Sequence, residues 1–550
     1  MKKEIPLEKS YGDDHVDDHV DKEIEDCFST KNPKCFFVFA GAGSGKTRSL
    51  INTLNFLDRE QGENLLMNGK QVAVITYTNA ACDEISRRLQ YKTIFSVSTI
   101  HSFLWDLIKY YQADIKSWLV ESVQKEIEEL QRKKTKKTGS KAGEKREEKI
   151  KKKMDRLAKI RTVQKFSYNP NGDNVGYDSL SHSEVIKMST EFIATEPTMQ
   201  DILTSKYPIL LIDESQDTKK ELIDALLIVC EKYSGKFIVG MFGDTMQKIY
   251  MDGKEDLAKC IPDNWIKPVK IMNHRSAKRI VTLANSIRST VDDKKQRARD
   301  DADEGIVRLF ITSESKDKEY IEKKVAEMMA QDTGDVGWND DDQYKSLILE
   351  HHMAASRFGF SELYMPLNDS KKFDTSLRDG SILELSILSK IVSPLVKAYK
   401  IGNDFEVAKI VRKNSPLLSK DAFVEEFKDQ TELLKNAEEA VETLMQLWND
   451  EKNLTCLEVL ESIQNTGLFD VGSRIDELLT EYSQDEDEKI TALRTALSVP
   501  FYEVERYALY VSDNTRFATH QGVKGLEFPR VMVILDDAQA KGFLFSYEKL

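Results

Sequence analysis

The sequence predicts an α/β protein built on two cores with parallel sheets, each core carrying a helical insertion. Three observations predict it. Short apolar runs that end in polar residues, "KCFFVFA", "QVAVITYT", "YPILLIDES" and "KFIVGMFGD", read as strands buried on both faces. Segments with helical spacing separate them, as in "TRSLINTLNFL" directly after the glycine-rich stretch that closes the first run. The pattern then resumes with "GIVRLFIT" and "YKSLILEHH" and returns once more with "RVMVILDD". Parallel sheets of this kind put their sites at the C-terminal edge of the strands.

Taken in order, residues 1–104 and 200–275 form the first core, and residues 105–199 interrupt it with charged helical sequence. Residues 276–369 and 509–550 form the second core, interrupted by a helical stretch over 370–508 rich in Leu, Lys and Glu. The 550 residues are 40% hydrophobic and 31% charged, which suits several domains with real cores. No apolar run reaches the ~20 residues that cross a bilayer, and the N-terminus lacks the apolar centre of a signal peptide, so a cytoplasmic protein with no membrane partner is expected. The six cysteines include no C-x-x-C pair and read as reduced packing residues. In "DDHVDDHV", His15 and His19 lie one helical turn apart among acids, and a solvated helix start is the expectation there.

Net charge is −13, which alone speaks weakly against nucleic acid as a partner. Residues 132–161 reverse it locally, with fifteen Lys or Arg against four acids, leaving the remainder near −24. Such a run is either a solvated helical surface or an arm that tracks a phosphate backbone.

The chemistry lies in four stretches. In "AGAGSGKT", Gly41, Ala42, Gly43, Ser44 and Gly45 form a loop whose amides can turn inward around phosphates. Lys46 supplies a point charge, Thr47 a hydroxyl for Mg²⁺, and Arg48 follows on the first helical turn. In "LLIDESQDT", Asp213 is placed to hold Mg²⁺ and Glu214 to take a proton from an attacking water, which implies hydrolysis. In "MFGDTMQKIY" and "IMNHRSAKRI", Gln247 can sense a γ-phosphate and Arg275 can neutralise charge developing on it.

With these in place, the chain resembles the superfamily 1 DNA helicases of the UvrD, Rep and PcrA type. The resemblance runs from residue 36 to 541 and includes "TYTNAACDEISRRL", "STIHSF", "DESQDT", "GDTMQKIY", "NHRS" and "THQGVKGLEF", in the family's order. It implies two RecA-like domains with ATP and Mg²⁺ between them, a helical insertion in each, and single-stranded or partly duplex DNA across the top. By the same resemblance Glu527 is a nucleotide contact from the second domain, Tyr77 stacks on a base, and Thr99, His101 and His520 face the strand. Stacking on an aromatic face suits a motor that must pass over any sequence.

The departures from that pattern are specific. No glutamine before residue 35 matches the family's adenine reader, and His274 stands where an adenine-stacking tyrosine is usual. "MDGKED" follows "QKIY" in place of an aromatic, an arginine and a glycine, and the family's final arginine motif is not found before Leu550. The expected function is an ATP-dependent DNA helicase or translocase moving 3′ to 5′ in DNA repair. A second reading, from another class, is a DNA-sensing ATPase subunit that gates a partner nuclease in a defence or recombination assembly.

Overall fold

The structure is a computed structural model that describes residues 16–29, 31–132, 141–170, 177–244, 246, 257–290, 292–312, 317–370, 372–419, 430–449, 453–472, 474–480, 487–512, 515–520, 522–536 and 539. The chain divides into two compact units, Met1–Leu309 and Phe310–Leu550. This division falls some thirty residues beyond the boundary expected after 275, so the stretch carrying "NHRSAKRI" packs with the first unit.

In the first unit, α1 (Asp18–Asp26) precedes β1 (Phe36–Ala40), α2 (Lys46–Met67), β2 (Val72–Thr76), α3 (Asn79–Arg88), β3 (Phe95–Thr99) and α4 (Ile100–Ile108). After α4 comes a helical insertion, α5 (Gln112–Arg132), α6 (Lys141–Thr162), α7 (His182–Thr195) and α8 (Pro197–Lys206). The chain returns with β4 (Ile209–Ile212), α9 (Lys220–Lys232), β5 (Ile238–Gly243), α10 (Leu257–Cys260), β6 (Val269–Lys270), β7 (Met272–Asn273), α11 (Lys278–Arg288) and β8 (Arg297–Ala298).

Six strands form one sheet in the order β3-β2-β4-β5-β1-β6, all parallel. The period-two alternation of a strand sorts their side chains onto two faces. Phe36, Val38, Val72, Val74, Leu211 and Phe242 pack with α1, α2 and α3, while Phe37, Ala73, Ile75, Leu210, Val239 and Met241 pack with the insertion and α9. Both faces are therefore covered, which is why these strands read as unbroken apolar runs. In the insertion, Ile115, Leu119, Val123 and Ile127 recur every fourth residue on α5 and share a core with Ile150 and Ile160 of α6. A capping box, in which Ser181 and Glu184 satisfy each other's backbone amides, starts α7.

The second unit contains a parallel three-stranded sheet, β9 (Lys345–Ile348) between β10 (Phe517–Thr519) and β11 (Val531–Val533). Helices occupy most of the described part of 370–508 and hold one continuous apolar core. "GIVRLFIT" departs from expectation. It runs without a strand partner, with Leu309 and Ile311 77% and 89% exposed, because no described strand lies alongside to complete a ladder. Among the described residues no helix is long and apolar enough to cross a membrane. The cysteines are free thiols, three of them buried. His15 lies outside the described residues, whereas His19 is exposed and bonds the Val16 carbonyl.

Candidate nucleotide site

The phosphate loop begins where β1 ends. Gly43 (φ 68°) and Gly45 (φ 79°) take the left-handed backbone that turns the loop back on itself, a conformation in which a side chain is strained. Ser44 tightens it, its amide and hydroxyl both donating to the Gly41 carbonyl at 3.3 and 2.8 Å. Gly45 then serves as the N-cap of α2, so the first-turn amides of a long helix open onto the loop, the arrangement that attracts an anion. Lys46, 8% exposed, donates from Nζ to the Ala40 carbonyl at 3.2 Å and stands 3.9 Å from Glu214 Oε1. Thr47 is half-buried beside it, and Ala42 and Arg48 are exposed.

The two acids sit at the end of β4. Asp213 is 6% exposed, and one of its carboxylate oxygens accepts the Glu214 amide at 3.0 Å. Glu214 holds a left-handed backbone (φ 50°), which is uncommon for a residue with a side chain and marks stored strain at a site. Gln216, which sequence reasoning did not single out, ties the strand ends together. Its amide nitrogen donates to Glu214 Oε2 at 2.7 Å and to Asp217 at 3.2 Å, and its oxygen accepts the Asp244 amide at 3.1 Å. A Cβ added to Gly243 would fall 2.5 Å from Ser215 Oγ, so β5 passes the acid turn too closely for any other residue. Gln247 lies outside the described residues.

A third wall comes from the turn after β7. Asn273 donates to the Ala42 carbonyl at 3.0 Å, and its oxygen accepts the amides of Arg275 and Ser276 at 3.0 and 2.9 Å. The His274 amide donates to the Gly43 carbonyl at 2.9 Å. Arg275 thereby reaches the loop, its Cβ 2.7 Å from where a Cβ on Gly43 would stand. Burial, reinforced by the Lys270 ammonium, holds the His274 imidazole below its ordinary pKa and so keeps a neutral ring beside the loop.

The residues present fit a nucleoside triphosphate with its divalent cation. Left-handed glycines, helix-end amides and a buried ammonium suit phosphates, and a hydroxyl with a carboxylate are hard oxygen donors of the kind Mg²⁺ takes while keeping several waters. Among the described residues, no group of three or more His, Cys, Asp or Glu side chains is placed for a metal.

The residues expected to face DNA divide between the units. In the first, the pairing of Thr76 with Thr99 puts Tyr77 and the start of α4 at one corner of the sheet. Tyr77 is half-buried against the core of the insertion. Thr99 caps α4, its hydroxyl oxygen accepting the Ser102 amide at 3.3 Å. The His101 ring lies 5.0 Å from that of His182, which in turn bonds the Tyr168 hydroxyl at 2.5 Å. In the second unit, His520 follows β10 with its Nε2 buried and, among the described residues, without a hydrogen-bond partner, and Glu527 is exposed beyond the turn that follows.

Comparison with known proteins agrees with this geometry. Residues 24–252 match the family model of an AAA domain, a span that contains the phosphate loop, both acids and β5. The chain is also similar to Gabija protein GajB of Bacillus cereus (strain HuB5-5), 24% identical over 624 aligned positions that cover 96% of this chain and 89% of the relative. Both findings support a P-loop domain within the first unit.

Proposed function

We propose that the chain is an ATP-dependent DNA helicase or translocase of the UvrD-like type, acting in the cytoplasm on single-stranded or partly duplex DNA in the 3′ to 5′ direction. The observation that carries this reading is the meeting of Lys46 and Glu214 within 3.9 Å, which sets a phosphate-binding cation beside an acid able to accept a proton. When bound, the Mg²⁺-nucleotide supplies the scissile phosphoanhydride and the charge that Thr47 and Asp213 would hold. Glu214 then takes the proton of the attacking water, and Arg275, fixed to the loop through Asn273, offsets negative charge on the phosphoryl oxygens. Tyr77 at the same sheet edge offers a base a stacking face.

The test is steady-state ATP hydrolysis with and without single-stranded DNA, joined to unwinding of duplexes bearing a 3′ or a 5′ tail. Stimulation by DNA together with unwinding only from the 3′ tail is expected, and hydrolysis indifferent to DNA would overturn the reading. The alternative, a DNA-sensing ATPase that gates a partner nuclease, draws support from β11. Val531 and Val533 remain 40% and 51% exposed on a parallel strand, a class normally covered on both faces. DNA-stimulated hydrolysis without unwinding favours this alternative.

A further inference from the structure

We infer that Lys294 is an additional phosphate-binding cation of this site and that Gln296 reports the γ-phosphate end of the loop, an inference that rests on the nucleotide reading above. Neither residue belongs to a stretch that the sequence marks as chemical. The structure nevertheless lays their segment against the phosphate loop. Gln296 donates from Nε2 to the Ala42 carbonyl at 3.0 Å, and its oxygen accepts from Asn273 at 3.4 Å. A Cβ built on Gly41 would stand 2.6 Å from the Gln296 carboxamide carbon, so the amide lies against the first turn of the loop, where only glycine admits it.

The segment is pinned at both ends. Arg288 grips Asp292 at 2.7 and 2.9 Å and reaches back to Asp244 at 3.0 Å, joining it to the end of β5. The Gln296 amide donates to Asn285 at 2.9 Å, and the Arg297 amide donates to the Ile271 carbonyl at 2.7 Å. Between these anchors Lys294 is half-buried and lines a narrow cleft with Gly41, Gly243, Asp244 and Lys270. Its ammonium rests 5.2 Å from the centroid of the Phe39 ring and, among the described residues, forms no ion pair. A cation over an aromatic face at the edge of a narrow cleft is held weakly, whereas a charge-assisted bond to a phosphate oxygen is among the stronger contacts available to it. Lys294 is therefore poised to leave the ring for a polyanion. Gln296 must share the Ala42 carbonyl with Asn273 and shifts when the loop fills.

The discriminating experiment uses the full chain and two probes, a fluorescent ADP and the same ADP with beryllium fluoride as the γ-phosphate mimic. Lys294→Met should bind ADP within about twofold of the parent but lose about tenfold in affinity for the beryllium fluoride complex, and Lys294→Arg should restore most of it. Gln296→Ala should show the same selectivity with a loss of about threefold. Equal binding of both probes by Lys294→Met and the parent overturns the inference. So does an equal loss of both, because it marks a structural role. A parent chain that binds neither probe refutes the nucleotide reading itself, which keeps the two failures apart.

Discussion

Lys46 Nζ stands 3.9 Å from Glu214 Oε1, across the gap between the start of α2 and the end of β4. The two side chains have opposite duties toward a nucleotide. The ammonium stabilises phosphates in ground and transition states alike, whereas the carboxylate matters only when a water loses its proton. Lys46→Ala should therefore weaken ATP binding by a hundredfold or roughly so, while Glu214→Gln should bind ATP within a few-fold of the parent and turn over about a thousandfold more slowly. Equilibrium binding and single-turnover hydrolysis on both variants check this, and equal loss of binding contradicts the division of roles.

Arg288 and Asp244 form a second close pair, 11% and 3% exposed in their side chains. Removing one member leaves the other charged and buried, which costs about 3 to 5 kcal/mol, whereas a conservative change keeps most of the pairing. Arg288→Met should lower stability on that scale, Arg288→Lys by about half as much, and Arg288→Met joined to Asp244→Asn by less than the single change to Met. Urea denaturation of these three variants, the parent and Asp244→Asn alone measures it, and a strictly additive double variant contradicts coupling.

What the sequence made legible follows from burial. β1, β2, β4 and β5 lie inside a sheet covered on both faces, so their apolar runs announced them. β3 escaped notice because it is an edge strand whose Ser96 and Ser98 break the run, and β6, β7 and β8 span two residues each, too few for any period. "GIVRLFIT" shows the converse: apolar composition earns no strand where no ladder partner stands beside it. In the site, the charged residues were legible because their chemistry is distinctive. Gln216, Asn273 and Gln296 were not, since an amide is generic and its partner is chosen by the fold; the Asn273 contact with Ala42 joins positions 231 residues apart.

The His101 imidazole is pushed down to about 4, chiefly by burial and further by His182 and the Lys219 ammonium. A histidine lowered on folding is neutral in the native chain and protonated in the unfolded chain between about pH 4 and 6.5, so the unfolded state binds more protons there and stability rises with pH. Its contribution is present above pH 6.5 and is lost as pH falls toward 4, on the order of 2 kcal/mol after allowance for its partial exposure. His101→Phe should lose less stability than the parent on acidification from pH 7 to 4.5. The residual slope should include His182, whose imidazole is lowered by burial and Lys219 as well. Identical slopes for the two proteins would contradict the assignment.

The basic run over 132–161 is tested best by charge and not by deletion. Residues 133–140 lie outside the described residues, but α6 contributes Ile150 and Ile160 to the core beneath it, so removing the helix would confound binding with unfolding. Part of its charge is already engaged. Lys152 pairs with Glu148 at 2.6 Å, Arg156 with Glu184 at 2.7 Å, and Lys159 sits 3.4 Å over the Tyr177 ring. Lys149, Lys151 and Arg161 are exposed and remain available to a phosphate backbone. Each phosphate contact releases counterions and contributes about −0.9 to the slope of log affinity against log salt for duplex. Changing all three to Gln should thus make the slope for a partly duplex DNA shallower by roughly 2 to 3, with the largest loss of affinity at low salt and little change in thermal stability. Measurement of duplex affinity between 50 and 200 mM salt, roughly the range over which such contacts fade, decides it. An unchanged slope would make α6 a solvated surface.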